Sequence, residues 1–134
     1  MPTTWWEGLT YKMLGKESES KQCWKRATAG RYDAYDRGKL YQAKSFKQLG
    51  EEIVARELMN DILFACQTST RVITEGKAPP WFAYISYLQA EVYEDLGEIE
   101  KAKEFYRKAV TIDPAHTEPV YTDASNKLKE LEKR

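Results

Sequence analysis

Three short turns of one form divide this chain, and nothing else in it constrains the fold as strongly. Met13-Leu14-Gly15-Lys16, Gln48-Leu49-Gly50-Glu51 and Asp95-Leu96-Gly97-Glu98 each set Leu-Gly before a charged residue. A helix closes most readily with Gly in the left-handed conformation, and an acidic residue suits the start of the next helix. The first two glycines lie 35 residues apart and the next two 47 apart. A recurring turn at such a period, with helical periodicity on both sides, points to internal repeats.

The residues around each turn keep a common register. Four positions before the glycine stands an aromatic (Tyr11, Phe46, Tyr93), and seven before it a small residue (Gly8, Ala43, Ala90). Five positions after it come Ser20, Ala55 and Ala102; nine after, Trp24, Met59 and Tyr106; twelve after, Ala27, Ile62 and Ala109. Small residues at these places let two antiparallel helices approach, while the large ones fill the groove between them.

This register resembles that of the tetratricopeptide repeat over nearly the whole chain. The third copy, Tyr84 to His116, fits best, with Ala90, Tyr93, Gly97, Ala102, Tyr106, Ala109 and Pro114 at consensus positions. The first copy, Thr4 to Gly30, keeps Gly8, Tyr11, Gly15, Trp24 and Ala27 but has Ser20 where Ala is usual. The second keeps mainly Ala43, Gly50 and Ala55. The segments Gln22 to Gly30 and Tyr41 to Gly50 are also similar to carboxy-terminal repeats of large bacterial proteins. In those, the repeats follow a β-sandwich of the galactose-mutarotase type. The resemblance implies an all-α, right-handed helical solenoid of three helix-turn-helix hairpins with a C-terminal capping helix.

Periodicity and breakers predict helices over about 3–14, 17–28, 32–49, 51–75, 80–96, 99–112 and 117–133. They group as one domain over 1–134, with repeats at about 3–30, 32–75 and 80–114 and a cap at about 117–133. The fourth helix is long because Glu51 to Glu75 holds neither Gly nor Pro, and Gly76-Lys77-Ala78-Pro79-Pro80 ends it. The last is polar, with Leu128 and Leu131 as its apolar anchors.

Composition narrows the function. Lys plus Arg and Asp plus Glu are both 21, so the chain lacks the basic excess of a nucleic-acid binder. No run reaches the roughly 18 apolar residues of a membrane span, and the first residues lack a secretory pattern. Cys23 and Cys66 form no CxxC pair, which reads as two buried reduced thiols and, by default, a cytoplasmic address. His116 is the only imidazole, and it has no partners nearby for catalysis or metal binding. Glu91, Glu94, Asp95 and Glu98 read as acids on a solvated helix face. No phosphate cradle or nucleophile elbow is visible. The chain therefore reads as a non-enzyme with no cofactor and no metal.

Against those few catalytic groups stand seventeen aromatic rings: nine Tyr, four Trp and four Phe. The resemblance implies that the first helix of each repeat lines a concave face. Carried over by register, that face holds Trp5, Trp6, Leu9, Lys12 and Met13 in the first repeat. The second supplies Arg37, Leu40, Tyr41, Lys44 and Lys47, and the third Tyr84, Tyr87, Leu88, Glu91 and Glu94. Trp6, Tyr41, Tyr84 and Tyr87 are the rings left for recognition, whereas Tyr11, Trp24, Phe46, Tyr93 and Tyr106 serve helix packing. Chaperone-binding members grip a terminal carboxylate with Lys, Asn and Arg, but the corresponding places here hold Trp5, Leu9, Tyr41, Tyr84 and Leu88. The expected partner is a protein or peptide on the concave face. Two alternatives stand beside it: an accessory domain serving a carbohydrate-processing partner in cis, and a homodimer through the Trp5-Trp6 end.

Overall fold

The structure, a computed structural model, describes residues 2–33, 36–71, 82–112 and 120–133. Among these residues it is an all-α helical-repeat fold of seven helices with no strand. The helices are α1 (Pro2–Met13), α2 (Glu17–Ala27), α3 (Arg37–Gln48), α4 (Glu52–Arg71), α5 (Phe82–Asp95), α6 (Ile99–Ile112) and α7 (Val120–Glu132). The chain divides into two compact units, Met1–Ile62 and Leu63–Arg134, with the division inside α4.

The three Leu-Gly turns are built alike. Gly15, Gly50 and Gly97 have φ of 76°, 84° and 82°. In each turn the residue after the glycine donates its N–H to the carbonyl of the aromatic four positions before the glycine. These bonds are Lys16 to Tyr11 at 2.8 Å, Glu51 to Phe46 at 2.9 Å and Glu98 to Tyr93 at 2.9 Å. The glycine N–H donates three residues back, to Lys12, Lys47 and Glu94. This paired closure satisfies helix-terminal carbonyls, and only the glycine conformation permits it at low cost. The small and large positions of the register are buried in all three copies: Gly8, Ala43 and Ala90; Ser20, Ala55 and Ala102; Trp24, Met59 and Tyr106; Ala27, Ile62 and Ala109.

In the first unit α1 packs on α2 and α3. A methyl group at Gly8 would stand 2.3 Å from Trp24 Nε1, so the glycine makes room for the indole. Trp5, Trp24 and Tyr41 form one buried cluster, flanked by Leu9 and Leu49. Each ring contributes on the order of 1.5–3 kcal/mol by burial. Lys39 of α3 reaches Asp61 of α4 at 3.7 Å, as an antiparallel pair about the Gly50 turn allows.

The largest departure from the periodicity lies at α3. The helix expected over about 32–49 begins at Arg37, because the described residues before it, 31–33 and Asp36, are not helical. Gln42 Nε2 donates to the carbonyls of Thr28 and Gly30 at 2.8 and 2.6 Å. The Tyr32 ring fills the space beside Gly30 and Gly38, and Asp36 caps α3 by accepting from Gly38 N–H at 2.8 Å. The other helices begin and end within a residue or two of expectation wherever they are described. Residues 72–75, the Gly76–Pro80 breaker, Pro114, His116 and the predicted start of α7 lie outside the described residues.

In the second unit α5 packs on α6 and α7, and α6 packs on α7. Eleven of the fourteen residues of α5 are buried. Ala102, Tyr106 and Ala109 follow one another at helical intervals along α6, all fully buried. Tyr87 meets Tyr106 edge-on at 5.7 Å, and Tyr93 lies 5.2 Å from Phe105. Glu94 draws the three helices to one point. It accepts from Tyr106 Oη at 2.8 Å and sits 3.8 Å from Lys127 of α7. Ala124 and Leu131 anchor α7, with Leu128 only half-buried, while Lys129, Glu130, Glu132 and Lys133 face solvent.

Candidate partner-binding surface

Helices α1 and α3 bring an ordered set of cations over the aromatic cluster of the first unit. Trp5 lies 5.8 Å from Trp24 and 6.5 Å from Tyr41, ring centre to ring centre. Lys44 Nζ is 6.0 Å from the centre of Trp5, and Lys12 Nζ is 6.0 Å from that of Trp24. The Arg37 guanidinium stands 5.6 Å over Tyr41 and donates to its hydroxyl at 3.2 Å. Each buried ring thus has a positive charge over it, at distances where the ring quadrupole attracts a cation. Lys12 also donates to Gln48 Oε1 at 3.3 Å, tying the end of α1 to the end of α3. Helix α3 contains Arg37, Lys39, Lys44 and Lys47 and no acidic residue.

The groove residues inferred from register separate into two groups. Trp6 is 53% exposed, Lys12 and Lys47 are exposed, and Leu9, Arg37, Lys44 and Tyr84 are half-buried. Trp5, Tyr41, Tyr87, Leu88 and Glu91 are buried, which makes them packing beneath a surface rather than contact groups upon it. The reason is geometric. Trp5 is spent on Trp24 and on Tyr41, Tyr87 packs on Tyr106, and Leu88 belongs to a helix buried on most sides. The apolar N-terminal end expected from Trp5 and Trp6 together therefore reduces to Trp6, with Met13 and Leu14 exposed farther along the chain.

One groove joins the register positions Trp6 and Tyr11 to two residues that the register did not single out. Trp6, Glu7, Thr10 and Tyr11 line a shallow depression of about 490 Å³ on α1. Their i, i+1, i+4, i+5 spacing is the signal that would have found it, since it sets four side chains on one side of a helix.

Residues 83–116 match the family model of the tetratricopeptide repeat. This stretch is a tetratricopeptide repeat. Its described part spans all but the first residue of α5 and the whole of α6. The family's alternating small and large positions are here Ala90, Ala102, Tyr106 and Ala109, each fully buried, with Gly97 at the turn. Searches of the curated proteins and of the solved structures gave no match. The tetratricopeptide repeat generally mediates protein–protein interaction and is typically a scaffold rather than an enzyme.

The described residues hold two cysteines, and the Tyr106 hydroxyl is bonded to Glu94. No three His, Cys, Asp or Glu side chains gather there as a metal site. Cys23 and Cys66 are buried free thiols, and burial pushes the Cys66 thiol up to about 12. The buried hydroxyl of Tyr106 is raised well above its ordinary range by desolvation and then by the neighbouring Glu94 carboxylate. No described helix is long and apolar enough to cross a membrane.

Proposed function

We propose that the chain is a protein-interaction module whose first unit offers the binding surface on α1 and α3. Lys12, Arg37, Lys44 and Lys47 are its contact groups, and Trp6 stands at its edge. The observation that carries this reading is the placement of three cations over three rings of one buried cluster. Cations held this way are positioned before a partner arrives, so less side-chain freedom is lost on binding. With no acid on α3, the complementary partner segment is acidic. In α5, Tyr84 and Glu94 are the half-buried residues among those assigned to the groove, and Tyr87, Leu88 and Glu91 act as framework.

The test is capture of partners by the wild type and by Lys12→Glu/Lys47→Glu. Both lysines are exposed, so the variant keeps its helical circular dichroism. Captured proteins should be lost from the variant and released from the wild type as salt is raised. Identical partner sets would rule out the α1/α3 surface as the binding face.

A further inference from the structure

The groove on α1 has a chemistry unlike that of the neighbouring cationic surface. Glu7 lies between Trp6 and Tyr11 in its lining; its side chain is exposed, with no hydrogen bond or ion pair among the described residues. Trp6 is the most exposed aromatic in the groove, and its ring is backed by Tyr41 at 6.0 Å. Thr10 donates its hydroxyl hydrogen to the Trp6 carbonyl at 3.0 Å, which leaves its oxygen facing outward as an acceptor only. Among the described residues the groove therefore holds two aromatic rings, one carboxylate and one acceptor oxygen, and none of its described lining residues is a cation.

We infer that this groove takes a basic side chain, arginine before lysine, from a partner polypeptide. It is a second contact, which shares Trp6 with the edge of the surface proposed above but none of that surface's cations. A guanidinium stacks on aromatic faces, pairs with a carboxylate through two parallel N–H donors and gives up its hydration more readily than an ammonium. An apolar occupant would strip water from Glu7 without replacing its hydrogen bonds, and an acidic one would be repelled. Trp6 and Tyr11 favour a cation for the same electrostatic reason that places Lys12, Arg37 and Lys44 over the rings nearby.

The experiment follows the four indole N–H resonances of the full chain by nuclear magnetic resonance, with the Trp6 signal assigned from Trp6→Leu. The probes are the blocked tripeptides Gly-Arg-Gly, Gly-Lys-Gly, Gly-Leu-Gly and Gly-Glu-Gly. The arginine peptide should shift the Trp6 signal saturably, the lysine peptide more weakly, and the leucine and glutamate peptides not at all. Glu7→Gln should weaken arginine binding about three- to fivefold, as expected for removal of an exposed ion pair. Trp6→Leu, followed on the Tyr11 ring signals, should weaken it comparably although it keeps an apolar side chain. Lys12→Glu/Lys47→Glu should leave it intact, which separates failure here from failure of the α1/α3 surface. Equal binding of the leucine peptide, or no effect of Glu7→Gln, would overturn the inference. So would a Trp6 signal that moves with protein concentration alone, since a second copy would then occupy the groove.

Discussion

Two glycines show how differently the same residue type is used. Gly50 adopts a φ of 84°, and a methyl group placed on it would meet nothing within 4 Å, so its constraint is conformational alone. Gly8 has ordinary helical geometry, but a methyl there would meet Trp24 at 2.3 Å, so its constraint is space alone. Gly50→Ala should cost about 1–2 kcal/mol in urea unfolding without changing tryptophan fluorescence. Gly8→Ala should cost on the order of 1–3 kcal/mol and shift that fluorescence, because Trp24 must move. A silent Gly8→Ala would refute the close approach of α1 and α2.

Cys66 gives a prediction in pH. Its thiol is pushed from 9.0 to about 12 by desolvation, so the fold favours the neutral form. Below pH 9 both folded and unfolded thiols are neutral, and this residue adds no pH dependence. Between pH 9 and about 12 the unfolded chain ionises while the folded one does not, and stability falls. Unfolding measured at about pH 7 and about pH 10.5 should therefore show a smaller alkaline loss for Cys66→Ala than for the wild type. Equal losses would mean that Cys66 is not desolvated as described.

At the scale of elements, Glu94 shows how one side chain joins three helices. Glu94→Ala strands the fully buried Tyr106 hydroxyl and should cost about 1–3 kcal/mol, whereas Glu94→Gln keeps an acceptor and should cost less. Amide exchange in α7 should quicken more in the alanine variant, since the Lys127 contact is lost as well. Equal exchange in both variants would place the anchoring of α7 in Ala124 and Leu131 alone.

What could be seen in the sequence follows from how local each cause is. The three turns were legible because a glycine, its aromatic four residues earlier and the next charged residue form one short hydrogen-bonded unit. The start of α3 was not, because Gln42 fixes carbonyls twelve and fourteen residues away and Tyr32 needs space beside Gly38. Among the groove residues, register placed Trp6, Lys12 and Lys47 on exposed positions but did not show that Trp5 and Tyr41 are consumed in one buried cluster with Trp24. Helical periodicity states which side of a helix a residue occupies. How deep the neighbouring helix covers that side depends on the shapes that meet there. Glu7 passed unnoticed because an isolated acid near a helix start is ordinary until the rings on either side are seen to frame it.

At the scale of the whole molecule, charge is sorted by helix although the chain is neutral in total. Helix α3 carries four cations and no acid, and α5 carries Glu91, Glu94 and Asp95 and no cation. A sorted distribution of this kind steers charged partners and sets which surface they meet first. The two units also divide the labour of the sequence motifs. The repeat matched by the family model lies in the second unit, whose acids and rings hold three helices together. Cations stand over rings in both units, but only in the first do three of them gather over one buried cluster of rings; in the second Lys101 and Lys108 stand over Tyr93 and Phe105.

The most direct test of this division is partner capture by the intact chain and by Lys12→Glu/Lys47→Glu, with Lys129→Glu/Lys133→Glu, at the end of α7 and just beyond it, as the control. The first variant should lose the captured proteins while the α7 variant keeps them, both retaining wild-type helical circular dichroism. Retention by the first variant, or equal loss by both, would contradict a binding surface on α1 and α3.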